Sequence, residues 1–259
     1  MTLGLLGLVA LLAFTVEATA GFGSMVVALT LAAWFLPIDR VLASLLPVNV
    51  LLSGYLTLRH RRHVDGGVLV RRVFAWMVPG MLLGMAPAAL ADVFPALAGG
   101  PRAGDVIRGV FAVFVVVLAA VELWRARAGT SANTPALPAP LAATALVGAG
   151  VVHGLFACGG PLLVYVVGRE LDDKARFRAT LSAVWLLLNG ALLVPRLVEG
   201  ALDRAALEGS AVTLVSLVGG LVIGEQLHRR IPVARFRVAV FALLLVAGFA
   251  LLGRSLRGS

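Results

Sequence analysis

Cysteine is almost absent from this chain of 259 residues. Cys158 stands alone, so no intrachain disulfide can form. Charge is scarce too. Asp, Glu, Lys and Arg make up 14% of the residues, where soluble globular domains carry about 25%. No GxxxxGK[ST] loop is present to cradle nucleotide phosphates, which argues against ATP-driven work by this chain alone. There is no HExxH motif, no Cys/His cluster and no Ser/His/Asp set at an informative spacing. The expectation is a protein without metal or cofactor, and not an enzyme. The opening Met1-Thr-Leu-Gly4 carries no basic side chain ahead of the apolar run Leu3–Ala20. That run therefore reads as a membrane helix of the mature chain, not as a cleaved leader.

What is present is apolar. Hydrophobic residues make up 60% of the chain, and mean hydropathy is +1.00. A water-soluble core cannot hide so much apolar surface, whereas lipid solvates it. The net charge of +9 is no argument for nucleic acid. The basic residues sit in short clusters between apolar runs, as in the loops of membrane proteins.

Ten apolar segments recur, at 3–20, 24–36, 41–58, 73–92 and 107–124, then at 141–157, 160–169, 179–194, 210–227 and 236–253. Several approach the roughly 20 residues that cross a hydrocarbon layer. The segments at 24–36 and 160–169 are too short. Each follows a glycine-rich break, Gly21-Phe-Gly-Ser24 or Cys158-Gly-Gly-Pro161. Between the halves, residues 125–140 (RARAGTSANTPALPAP) read as a surface linker rich in charge, small polar residues and proline. The expected division is a first membrane repeat at 1–124, the linker at 125–140 and a second repeat at 141–259. A shift of 136 positions gives nine identities between 17–58 and 153–194, among them Gly23 with Gly159, Arg40 with Arg176 and Gly54 with Gly190. Internal duplication of this kind builds many secondary transporters.

Charge counting separates two topologies. If each opening segment and its short partner form a hairpin, three crossings follow in each half. One face then holds 15 of the 22 Lys and Arg, in clusters at 59–62, 71–72, 125–127, 169–178 and 229–237. The other holds seven: Arg40, Arg102, Arg108, Arg196, Arg204, Arg254 and Arg257. If each opening pair makes one crossing, giving eight in all (4+4), the split is 11 to 11. The positive-inside rule favours the hairpins. The expected fold is thus an all-α polytopic membrane protein of two inverted repeats, each a glycine-broken helical hairpin plus three transmembrane helices.

Several polar residues stand out against this apolar background. Glu17 lies near the end of the first segment, and the 136-residue shift sets His153 opposite it. An intramembrane carboxylate is expensive unless paired, protonated or facing a polar cavity, and imidazole titrates near neutrality. The pair reads either as a proton-coupling or gating pair, or as an interfacial carboxylate and a satisfied packing histidine. The two breaks expose backbone N–H groups and the positive ends of the helices that follow. Facing each other, Gly21, Gly23 and Ser24 in one half and Cys158, Gly159 and Gly160 in the other would cradle a small anion. Close helix packing through small residues is the alternative. Asn49 and Asn189 are uncharged polar side chains within apolar helices, suited to hydrogen-bonding substrate oxygens or a neighbouring helix.

These residues resemble the TauE/SafE sulfite exporter family. The match is clearest at His153-Gly-Leu-Phe-Ala-Cys-Gly-Gly-Pro-Leu-Leu163, and again over Arg176–Gly190 with Ala179-Thr-Leu-Ser182 and Asn189. The first-half copy, Gly21-Phe-Gly-Ser24-Met25, lacks the third glycine and the proline. The resemblance implies a multi-pass protein of the bacterial cytoplasmic (inner) membrane that moves sulfite, sulfoacetate or related organosulfonates. Its expected partners are the small anion, the lipid bilayer and protons as coupling ion, with no nucleic acid; the reading leaves room for a homodimer. Two other readings stay open: an anion channel, and a membrane-embedded enzyme or assembly factor acting through Cys158 or His153.

Overall fold

A computed structural model describes residues 2–86, 103–127, 136–171, 173–230 and 233–257. Half of the linker at 125–140, residues 128–135, and the end of the expected 73–92 segment lie outside these residues. The described residues form helices and turns with no strand. In chain order the helices are α1 (Thr2–Ala20), α2 (Ser24–Ala32), α3 (Ile38–Arg59), α4 (Gly66–Met85), α5 (Ala103–Arg127), α6 (Ala139–Phe156), α7 (Gly160–Val167), α8 (Lys174–Val198), α9 (Arg204–Arg230) and α10 (Val233–Arg257).

Seven of these helices contain a stretch long and apolar enough to span a membrane, and α10 carries a shorter one at Val238–Gly253. Large apolar side chains such as Leu8, Leu58, Val215 and Val246 are exposed on the outside of the bundle, where lipid would meet them. Hydroxyls inside the helices are satisfied locally. Thr15 and Thr19 donate to the carbonyls of Leu11 and Thr15, each at 2.7 Å. The fourth helix begins at Gly66, seven residues before the expected segment, because Asp65 caps it by accepting from Val68 N at 3.0 Å. Its Leu69–Met77 stretch is π-helical. That wide turn runs up to Pro79, which has no N–H to give the carbonyl four residues back.

Tertiary contacts assign each helix end to one of two faces. Arg40 at the start of α3 pairs with Asp203 at the start of α9. The side of Gly209 in α9 lies against Ser44 of α3 and Leu6 of α1. The starts of α1, α3 and α9 therefore share one face, and the α1–α2 hairpin returns the chain to the side it left. On the opposite face, Arg176 of α8 pairs with Asp65, whose N–H donates to Thr180 Oγ1 at 2.9 Å. Arg72 of α4 pairs with Glu170, and Arg125 of α5 lies over the Tyr165 ring. The starts of α4, α6 and α8 lie there, so the second hairpin begins on the face opposite to the first. Every described basic residue whose helix end is placed this way falls on the side the charge count expected. Arg102 lies outside the described residues.

The helices pair reciprocally. α1 packs on α9 and α6 on α4, in each case parallel; α3 packs on α8 and α5 on α10. Glycine makes the closest of these contacts possible. A Cβ on Gly80 or Gly84 of α4 would come within 2.2 or 2.3 Å of the Val147 or Val151 carbonyl oxygen, and one on Gly150 of α6 within 2.1 Å of the Met77 oxygen. No side chain fits there, and backbone-to-backbone contact replaces the hydrophobic drive that lipid removes.

Candidate functional site

The two hairpin turns meet at the centre of the bundle. The first chain leaves α1 through Gly21 (φ 83°) and enters α2 through Gly23 (φ 103°), both left-handed conformations that glycine takes without a Cβ penalty. The second leaves α6 through Ala157, which takes the left-handed conformation (φ 53°) with a side chain in place. Its N–H closes the helix on the His153 carbonyl at 2.7 Å. Pro161 occupies the first turn of α7, where its missing N–H would have had no helical partner.

Between the turns lies one small cavity. It is lined by Glu17, Gly23, Ser24, Met25, Val26, Asn49, Ala157, Cys158, Gly160, Pro161, Trp185 and Asn189. The first residues of both short helices, Ser24 and Gly160, open onto it. Seven of the ten residues expected from sequence to bind substrate or couple protons line this cavity. Gly21, His153 and Gly159 do not. Gly21 shapes the turn. Gly159 is a packing residue: its backbone is ordinary helix, and a Cβ there would sit 2.3 Å from the Ala149 carbonyl oxygen.

Four polar residues form one buried hydrogen-bonded chain. Ser24 Oγ donates to Glu17 Oε2. Asn49 Nδ2 donates to Glu17 Oε2 and to Ser24 Oγ, both at 2.8 Å. Asn189 Nδ2 donates to Asn49 Oδ1 at 2.6 Å, linking the halves across the cavity. Ser53 Oγ reaches the same oxygen at 3.4 Å. Glu17 is therefore not interfacial: it is 3% exposed, and its carboxylate faces polar donors as an intramembrane charge must. The Asn189 Oδ1 atom is buried without a partner.

His153 is fully buried with both ring nitrogens unpartnered. Its ring stacks on the Trp185 indole, with centroids 5.9 Å apart and planes 25° apart. A packing role therefore holds, but not hydrogen-bond satisfaction. Trp185 escaped the sequence reading. Its Nε1 donates to the Gly21 carbonyl at 3.1 Å, and its ring edge lies 3.4 Å from where a Cβ on Gly160 would stand. One side chain thus braces both turns. The signal was available: the 136-residue shift that pairs Glu17 with His153 also pairs Asn49 with Trp185.

The geometry offers hydrogen-bond donors, helix N-termini and one ionisable carboxylate around a small chamber whose polar side chains are buried. Among the described residues, no group of His, Cys, Asp and Glu could hold a metal ion. Such a chamber between two broken hairpins, inside a polytopic helical membrane protein, is an arrangement that many secondary transporters share. The chain belongs to the TauE/SafE family, since the family model described as "Sulfite exporter TauE/SafE" matches residues 6–251. The chain is also similar to the "Probable inner membrane transporter protein TsaS" of Comamonas testosteroni, 32% identical over 103 residues. That match covers 39% of this chain and 43% of the relative, under half of either. No solved structure matches the chain.

Proposed function

We propose that the chain is a proton-coupled secondary transporter of small sulfur oxyanions, sulfite and organosulfonates such as sulfoacetate, in the bacterial inner membrane. The observation that carries this reading is the Glu17–Ser24–Asn49–Asn189 chain, enclosed where two short-helix N-termini meet. An ionised Glu17 would repel an anion entering the same low-dielectric chamber. A protonated Glu17 would not, and the Ser24 hydroxyl and the Asn49 amide would be free to turn from its carboxylate to the substrate oxygens. Proton and anion therefore occupy the chamber together. Protonation of His153 would place a cation against the Trp185 ring and add positive charge beside the second turn.

The two halves act as inverted repeats, 1–124 and 141–259, rocking against each other about the chamber. The face with most of the basic residues is cytoplasmic. Because Cys158 lines the cavity, thiol chemistry makes a separate expectation. Cys158→Ala would leave transport largely intact, whereas an enzyme acting through the thiol would lose all activity.

The test is uptake of sulfite, sulfoacetate, taurine and sulfate into proteoliposomes, with and without an imposed pH gradient. Flux of at least one sulfur oxyanion that rises with the gradient is expected. If none moves and none raises the thermal midpoint, the substrate assignment falls. Flux indifferent to the pH gradient and to countertransport would mark an anion channel.

A further inference from the structure

One face of α8 carries Arg178, Trp185 and Asn189, spaced seven and four residues apart and hence aligned along the helix. Trp185 and Asn189 line the chamber. Arg178 lies one step nearer the basic face. Its stem packs on the first turn, with Cγ 3.4 Å from where a Gly21 Cβ would stand. Its charge acts on Glu17 on the chamber side, on His60 towards the basic face, and on Glu225 of α9.

Two of the three guanidinium nitrogens of Arg178 are left open. Its Nε and Nη2 atoms are buried and have no hydrogen-bond partner. Among the described residues, no carboxylate lies within ion-pair distance of it. Five other arginines, Arg40, Arg72, Arg125, Arg176 and Arg204, each meet an Asp or Glu. Buried donors without partners forfeit their hydrogen bonds to water, so such a pair suits an acceptor that a ligand brings. Nε and Nη2 form the side-on edge of the guanidinium. Two parallel N–H groups on that edge match two oxygens of one sulfonate, sulfite or carboxylate.

We propose that the Nε and Nη2 edge of Arg178 is a second oxyanion subsite, at the mouth of the chamber on the basic face, and binds substrate by a bidentate fork as it passes the first hairpin turn. This rests on the transport reading above. Glu225 opposes the subsite electrostatically, and Gly21 lets the arginine stem lie flush against the turn.

The test uses the full-length protein in lipid nanodiscs, with equilibrium binding of sulfite and sulfoacetate and, in proteoliposomes, the split between KM and maximal flux. Arg178→Lys keeps the charge but loses the fork. We expect at least a tenfold weaker affinity and a KM raised by a similar factor in Arg178→Lys, with no rescue relative to Arg178→Gln. Glu225→Gln, which leaves the arginine in place, is expected to tighten binding severalfold. Oxyanion affinity in Arg178→Lys within twofold of the parent would overturn the subsite, as would an unchanged affinity in Glu225→Gln. If the parent itself neither binds nor moves any of these anions, the transport reading has failed, not the fork alone.

Discussion

At the first hairpin turn a carboxylate, a hydroxyl and an amide meet: Glu17, Ser24 and Asn49. Advancing each position by 136 gives the second turn's set, His153, Gly160 and Trp185, an imidazole, a bare α-carbon and an indole. The contacts correspond as well. Glu17 bonds to Asn49, and His153 stacks on Trp185; Asn49 bonds to Ser24, and Trp185 packs on Gly160. The residues that leave the helices, Gly21 and Ala157, are both left-handed and also one shift apart. The turns part company two residues on, where Gly23 is left-handed (φ 103°) and its counterpart Gly159 is helical (φ −66°). The first half handles charge and hydrogen bonds. The second shapes the wall, ties the turns together through Trp185 and adds one amide, Asn189, to the chain, so the halves differ both in side chains and in how the turn is made.

The strongest way to break this comparison is to remove the ionisable group from each half. Glu17→Gln keeps the shape and loses the proton site; flux driven by a pH gradient should fall roughly a hundredfold, near the upper end of typical coupling energies. His153→Gln should lower it far less, by about tenfold or under. Equal losses in proteoliposome flux would show that the halves share the coupling. Next come the bracing amide and indole. Asn49→Ala removes two donors from the buried chain and should destabilise the protein by about 1.5–3 kcal/mol, whereas Trp185→Phe keeps the ring and loses only the bond to Gly21, about 1 kcal/mol. Thermal midpoints in detergent would rank them.

The turns themselves offer a third contrast. Gly21→Ala forces a side chain into the left-handed region and should cost about 1–2 kcal/mol. Ala157→Gly relieves the same strain but frees the unfolded chain, so its net effect should stay within about 0.5 kcal/mol of zero. A matching loss in both would mean the two turns are not equivalent in energy. The smallest effect lies at the basic face. The backbone N–H of Val68, with the Arg176 guanidinium, holds the Asp65 carboxyl below the usual carboxylate range. A depressed folded value means this stabilisation is present above the unfolded value near 4 and is lost as the pH falls through the folded value. Acidification from pH 5 to 3 should lower the thermal midpoint slightly, and Asp65→Asn should flatten that dependence at a cost of about 0.5 kcal/mol.

Much of the site was legible before the structure. Glu17, Asn49 and Asn189 stood out because a polar side chain in an apolar run needs a reason, and Ser24 because it closes the first glycine break. Trp185 was not, because an aromatic residue in such a run needs none; only its partners mark it. Gly159, expected in the cradle, lies against the Ala149 carbonyl and off the cavity lining, since sequence alone does not separate a glycine that opens a turn from one pressed against a carbonyl. The spacing of Gly80 with Gly84 and of Gly150 with Gly154, small residues four apart, also went unread, though it marks the α4–α6 contact.

The sequence by itself determined that the chain is a helical membrane protein, where its helices break and which face is basic. Those properties are local: composition, segment length and charge are readable along the chain without knowing what touches what. Only the tertiary structure decided that Glu17 is shared by donors from two other elements, that Asn189 completes the chain from 140 residues away, and that Arg178 is left with an open fork. Hydrogen bonds form between groups brought within about 3 Å, and across a bundle of parallel and antiparallel helices no spacing along the chain foretells which groups those will be.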